Sequence, residues 1–398
     1  MKIIAIIMII INTSVSVLAQ NKQANSYSPT IIDISNIKLV KDATIKLSDI
    51  ADSVSYITLS KNVLLGEIGL IKPIDDKHFV IFSNQTVYRY TNGGKYVNRL
   101  FSSGRAANEA VCLSQPIVNR ERNFILVDDN VSTYNKMFSG DGKLLGRNDK
   151  TRETIALYTA GYADNLEVIW LVKSNWYANA EKCNPFTKSI FEVRNIESKE
   201  IVYKHPNPYY NYSYKINNKG SSYTGNDVCM GRSNNSYWFK IKDMDTVFTT
   251  TNFKDIKVKY IIKTPEPKLD FLANMKHRYG ALDRSKSQYF RNKETLLTER
   301  YLFLDFLFRG FYTYNCCYDT KTKKLSFFES KIINDIDGFC DIENIWSTQF
   351  GSDKAFYADN KLYVPIDAIK IIDAGKAKKF PGLTEDSNPI IMVVHLKK

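Results

Sequence analysis

Four carboxylates crowd the segment Lys331–Glu343: Asp335, Asp337, Asp341 and Glu343, with Asn334 and Gly338 among them. Oxygen donors around a glycine suggest a calcium loop, with ligands at positions one, three and five, Gly at six and a bidentate Glu at twelve. Placing Gly338 at position six puts Ile333 at position one and Asn344 at position twelve. Ile cannot coordinate a cation, and Asn does not replace a bidentate carboxylate. No metal ligand is expected here. The segment reads as a turn, in which Asn and Asp side chains bond nearby backbone and Gly338 supplies a positive φ.

Other chemistry leaves little trace. The chain has no Gly-x-Ser-x-Gly elbow, no phosphate loop and no His-Glu-x-x-His pair. Its four histidines, His78, His205, His277 and His395, stand in separate segments, so a shared metal would require the fold to gather them. No catalytic residue and no cofactor is expected. Aromatic residues are the stronger signal. Tyr210, Tyr212 and Tyr214 recur at a period of two and share one face if the segment is extended. Trp176, Tyr177 and Trp238 stand in similarly polar, turn-rich surroundings. Tyr and Trp bury apolar area while keeping a polar handle, which suits recognition of sugars or peptides. The competing reading is that they fill space inside the fold, as many must in a chain with 25 Tyr and 22 Phe.

The elements that must position these residues begin after residue 19. Lys2 precedes the apolar run Ile3–Ile11, polar residues follow, and Val17-Leu18-Ala19 has the small-residue spacing of a signal-peptidase site. The run is too short for a bilayer, which takes ~20 residues, and no later segment is apolar enough to span. Gln20 stands where a lipoprotein carries its lipidated Cys. Residues 1–19 are expected to be a cleaved signal peptide, giving a periplasmic or secreted protein. The net charge of +13 is dispersed, and its densest runs, at Lys321–Lys324 and Lys376–Lys379, are short. A nucleic-acid partner, which needs a basic stripe and a reading motif, is not expected.

Six cysteines are too sparse and irregular for a disulfide scaffold of this length. Cys316 and Cys317 are adjacent in an apolar strand-like run, so their side chains point to opposite faces.

The organising feature is a repeat. Segments beginning at Phe79 and Phe124 each carry an apolar strand, a polar break, a second strand, a Gly turn (Gly94, Gly142) and a third strand. Weaker copies begin at Val168, Tyr237, Tyr301 and Ala355. A period in the forties with several strands per unit is the signature of a β-propeller. The pattern predicts an all-β, six-bladed β-propeller of four-stranded antiparallel blades over residues 47–398, after a lead-in over residues 20–46. Leu269, Leu272, Met275, Tyr279 and Leu282 recur at helical spacing. One helical insertion is therefore expected between blades four and five, at about residues 265–298.

Several segments together resemble exported six-bladed propeller proteins of Bacteroidota-type bacteria, related in architecture to TolB-like propellers. They are "LSDIADSVSYITLS" from Leu47, "DTVFTTTNFKDIKVKYII" from Asp245, "TERYLFLDF" from Thr298, "IINDIDG" from Ile332 and "EDSNPIIMVVHLK" from Glu385. The resemblance implies the fold and an exported address, and makes "NDIDG" a loop joining blades. The family's first-to-second blade loop usually reads Gly-Arg-Gly-Pro-Gly-Glu-Tyr. Here Gly104, Arg105 and Glu109 remain, while Ala106, Ala107, Asn108 and Ala110 replace the rest.

The expected function is an exported binding or protein-interaction module for a peptide, glycan or protein ligand. Its candidate contacts are Arg105, Glu109, Tyr210, Tyr212, Trp176 and Trp238. The rival is a propeller lyase or hydrolase, which would gather titratable side chains at one end of the channel. A propeller also leaves two open strand edges where its chain begins and ends. Ser53–Ser60 is therefore expected to join the C-terminal run from Asn388 in one sheet.

Overall fold

The computed structural model of the chain describes residues 28–38, 40–106, 109–110, 116–128, 134–149, 159–163, 166–170, 188–195, 197–208, 228–241, 244–266, 291–308, 312–329, 331–346 and 355–398. The first described elements are β1 (Thr30–Asp33), β2 (Ile45–Lys46), α1 (Leu47–Ile50) and β3 (Ala51–Thr58). The first repeat then folds as the sheet β4 (Ile68–Pro73), β5 (His78–Ser83), β6 (Thr86–Thr91) and β7 (Tyr96–Ser102). The second sheet is β8 (Ile117–Asn119), β9 (Phe124–Asp128), β10 (Tyr134–Ser139) and β11 (Leu144–Asp149). The third is β12 (Thr159–Ala163), β13 (Leu166–Trp170), β14 (Ser189–Asn195) and β15 (Ile201–Pro206).

The fourth comprises β16 (Val228–Ser233), β17 (Ser236–Ile241), β18 (Thr246–Thr250) and β19 (Lys257–Lys263). The fifth is β20 (Arg291–Leu297), β21 (Tyr301–Phe308), β22 (Tyr312–Asp319) and β23 (Leu325–Phe328). After β24 (Ile332–Ile333), a closing sheet is built by β25 (Phe356–Ala358), β26 (Lys361–Ile366), β27 (Ile390–Leu396) and β3. Between β26 and β27 lie α2 (Ala368–Asp373) and a 3₁₀ turn, Ala377–Lys379.

Local chemistry explains the hairpins. Asn84-Gln85, Asn234-Asn235 and Asp359-Asn360 all have positive φ at both positions, the conformation of a two-residue type I′ turn. Gly94 adopts φ +85°, and a Cβ there would lie 2.2 Å from the Thr58 carbonyl oxygen, so only Gly lets the first sheet's hairpin reach β3.

The sheets form a propeller of four-stranded antiparallel blades. Innermost strands meet around the axis: β25 meets β4, β8 meets β12, and β16 meets both β12 and β20. Apolar clusters fill the spaces between neighbouring sheets. Cys316 and Cys317 are buried on opposite faces of β22, the first toward the fourth sheet and the second toward the closing sheet. Burial pushes both thiol pKa values up, so neither is poised as a thiolate.

The expected closure is present. β27 pairs antiparallel with β3 from Ile390↔Thr58 to Leu396↔Ala51. The lead-in does more than precede the propeller. β1 adds in parallel to the outer edge of β19, making that sheet five-stranded rather than four-stranded. Ile32 and Ile34 drive the addition by burying themselves between the fourth and fifth sheets. β2 pairs in parallel with β24.

The expected insertion also changes at its end. Residues 291–297, expected to belong to it, form β20 and pair along β21. The polar run becomes a strand because the strongly apolar β21 supplies a ladder partner. The helical spacing Leu269–Leu282 of the expected insertion lies outside the described residues, as do residues 1–27.

Candidate functional site

Among the described residues, turns joining innermost to second strands meet at one end of the channel, and most carry charged side chains, as at Asp76, Arg120, Glu299 and Asp359. Arg120, in the second sheet's turn, pairs with Asp76 of the first sheet at 2.5 Å and also with Asp359 of the closing sheet. Arg232 on β16 pairs with Glu121 of the second sheet. Both arginines thus reach past an intervening sheet. Asn234 Nδ2 donates to the Glu299 carbonyl oxygen at 3.1 Å, and Lys398 Nζ lies 3.7 Å from the Glu299 carboxylate. On β4, Lys72 Nζ donates to the Tyr357 carbonyl oxygen of β25 at 2.5 Å. Burial lowers the Lys72 pKa, while the Asp359 charge opposes that effect.

Among the described residues the mouth is knit by ion pairs across the ring, although the Asp76 side chain remains 91% exposed. Arg120, Arg232, Asp76, Glu121 and Asp359 are all committed to ion pairs across the ring. Cys229 on β16 does approach Glu294 Oε2 of β20 at 3.5 Å.

The three described histidines serve packing and local bonding, and His277 lies outside the described residues. His205 stacks on Phe191 at 5.2 Å and meets Phe239 and Phe248 edge-on. Its Nδ1 lies 2.7 Å from the Tyr203 hydroxyl, and burial pushes its pKa down to about 4. His78 Nδ1 lies 2.9 Å from Asp75, which also accepts from Arg89. Ser55 Oγ and His395 Nε2 are 3.0 Å apart on the outer strands of the closing sheet, with Ser55 exposed. Partial burial and the nearby Lys361 charge lower the His395 pKa, and no carboxylate orients its second nitrogen among the described residues.

The loop between the first and second sheets places the two candidate residues differently. Arg105 is exposed. Glu109 folds back, accepting from the Ala106 N–H at 3.0 Å. A Cβ on Gly104 would lie 1.9 Å from Glu109 Oε2, so Gly104 makes room for that carboxylate. Beneath the loop, Lys136 on β10 is 5% exposed and donates to the carbonyl oxygens of Ala106 and Glu109. Sequence reading missed Lys136; its only signal was a Lys within the alternating run of β10. Trp238 is 3% exposed and packs in the cluster between the fourth and fifth sheets. Trp176, Tyr210 and Tyr212 lie outside the described residues.

The carboxylates of the 331–343 segment are engaged by protein groups. Asp335 accepts from Ser48 N–H at 2.9 Å and Ser48 Oγ at 2.7 Å. Asp337 accepts from Tyr56 Oη at 2.9 Å, Asn334 Nδ2 at 2.8 Å and Lys379 Nζ at 2.7 Å. Burial alone would raise the Asp337 pKa, but the bonds from Lys379 and Tyr56 override it and hold the carboxyl below its usual range. Lys379 Nζ also lies 3.9 Å from the Tyr56 ring centroid and 4.7 Å from that of Phe339. Asp341 accepts from the Asn334 N–H and pairs with Lys331. Gly338 has φ +64°, as the turn reading requires. Among the described residues no group of three or more potential ligands could hold a metal ion.

Comparison with known proteins places this arrangement in a family. The profile of DUF4934, a domain of unknown function, matches residues 29–395. The chain belongs to the DUF4934 family. Its match takes in β1 and β2 as well as the propeller strands. A Bacteroides fragilis protein described as exported is similar over 93% of this chain and 100% of its own, with 18% identity and a TM-score of 0.65. A DUF4221 family member from Bacteroides vulgatus is similar over 87% of this chain and 97% of its own, with 10% identity and a TM-score of 0.51. At these identities the likeness is one of fold. No curated protein matches the chain. No helix among the described residues is long and apolar enough to cross a membrane.

Proposed function

We propose that this DUF4934 chain is an exported binding module for a peptide, glycan or protein ligand. The observation that carries the reading is the channel mouth, where Arg120 and Arg232 neutralise Asp76, Asp359 and Glu121 across the ring. The rival enzyme would keep titratable groups available to substrate, whereas these engage one another between sheets, most of them not adjacent in the ring. The reading counts six blades, taking the five-stranded sheet as a four-stranded blade with β1 added at its rim. It retains Arg105 as a contact candidate because that side chain is exposed on a pinned loop, and it retains Trp176, Tyr210 and Tyr212 on composition. The signal peptide 1–19 and a periplasmic or secreted address belong to the same proposal; the exported likeness supports the address.

Peptide and glycan arrays probed with the purified protein, with metal analysis of the same sample, test the function. Saturable binding without turnover supports it. Turnover of an array ligand, or binding to none, overturns it. Mass spectrometry of the exported protein tests the address, since an N-terminus at Gln20 is expected and an intact or lipidated one refutes it.

A further inference from the structure

At the rim, a groove of about 420 Å3 runs between β1 and the β22–β23 hairpin, lined by Ile31, Asp33, Tyr318, Lys323 and Leu325 among others. β1 is the edge of its sheet. The direction of its backbone follows from the ladder. Ile34 N–H donates to the Lys263 carbonyl oxygen at 2.8 Å. In a parallel ladder, alternate residues direct both backbone groups to the same neighbour. Ile32 and Ile34 therefore bond toward β19, while the N–H and C=O of Ile31 and Asp33 point outward. Among the described residues no strand pairs with that side.

The side chains around this edge are partly apolar and otherwise cationic. Ile31 is 56% exposed, and Leu325 is half-buried across the groove. Lys321, Lys323 and Lys324 are exposed on the facing hairpin. The one carboxylate in the lining, Asp33, is already engaged by Ser35 and lies 3.6 Å from Lys263. An unpaired edge with alternating pockets is the geometry of strand addition, in which main-chain bonds give affinity and side chains give selectivity.

We propose that this groove takes an extended acidic peptide segment of a partner protein, added as a further strand on the outer edge of β1. The partner's apolar side chains would lie on the face of Ile31, and its Asp or Glu side chains on the opposite face, toward the hairpin lysines. This site rests on the binding-module reading and names its ligand class. The short edge offers few backbone bonds, so affinity is modest and falls with salt.

Fluorescence anisotropy with a labelled decapeptide of alternating Val and Glu tests the site. Ile31→Pro removes an outward N–H without touching the bonds to β19, and Lys323→Glu reverses a lining charge. Each variant is expected to weaken binding about tenfold, corresponding to 1.4 kcal/mol, while melting like the parent. Alternate N-methylation of the peptide backbone is expected to abolish binding, and a Val–Lys peptide is expected not to bind. Equal binding by both variants, equal binding of the N-methylated peptide, or no binding of the Val–Glu peptide overturns the site. If array ligands still bind the Ile31→Pro variant with parent affinity while the Val–Glu peptide binds neither protein, the groove falls and the binding-module reading stands.

Discussion

Two loops that join neighbouring sheets use carboxylates in contrasting ways. In the loop after the first sheet, Glu109 bonds three residues away, to the Ala106 N–H. In the loop after the fifth sheet, Asp335 and Asp337 reach Ser48, Tyr56 and Lys379, which lie far away in sequence. The first carboxylate shapes only its own loop. The second pair ties the N-terminal strand, the inter-sheet loop and the helical connection before β27 at the seam where the ring closes. Carboxylates in inter-sheet loops thus differ according to whether they are satisfied locally or across the fold.

The largest expected effect comes from removing the seam. Deleting Ile390–Lys398 eliminates β27, whose Ile390, Ile391, Met392, Val393, Val394 and Leu396 are all 4% exposed or less. Each such side chain contributes roughly 1.5–3 kcal/mol, against a typical total of ~5–15 kcal/mol. Circular dichroism should show no cooperative unfolding for the truncated chain. A monomer that melts like the parent would break the comparison, because the seam would then carry no weight.

The loops can be compared directly. Asp337→Ala leaves the Tyr56 hydroxyl, the Asn334 amide and the Lys379 ammonium without their shared acceptor. A cost of about 2 kcal/mol is expected from chemical denaturation, moderated by the partial exposure of the site. Glu109→Ala loses one local bond and should cost below about 1 kcal/mol. Equal costs would show that long-range and local tethering are energetically equivalent here.

Acid sharpens the comparison with a third region. His205 has a folded pKa of about 4 against 6.5 unfolded. The unfolded chain therefore binds the extra proton first, and stability falls as pH drops from 6.5 toward 4, by roughly 2 kcal/mol after discounting partial exposure. Asp337 has a lowered pKa, so its contribution is present above the unfolded value of 3.8 and is lost only as pH falls through its folded value. A His205→Phe variant should weaken less than the parent between pH 6.5 and 4, the remainder coming from His395, whose pKa is also lowered, and should keep the more acidic transition. An unchanged profile would refute the assignment.

The smallest expected effect is none. Because Asp335, Asp337 and Asp341 accept from protein donors, chelating calcium should leave the melting temperature unchanged. A large fall reversed by calcium and not by magnesium would make the seam a metal site.

Much of this was legible in the sequence where chemistry is local. The turn at Gly338, the opposite faces of Cys316 and Cys317, and the pairing of the N-terminal strand with the C-terminal run follow from glycine φ, strand period and the need to close sheet edges. Other features were not legible. The polar run Arg291–Leu297 looks like loop until β21 supplies its partner. β1 looks like lead-in until β19 offers an edge. Lys136 carries no motif, because its two carbonyl partners come from a loop nearly thirty residues earlier.

The repeat, the strand-and-turn grammar and the all-β class are written locally along the chain, because periodicity and turn propensity act over a few residues. Which charges find partners depends on the folded ring. Arg120 and Asp359 are 239 residues apart in sequence, yet pair at the channel mouth. Closing the ring brings distant turns within Coulombic reach, and no spacing along the chain encodes that distance.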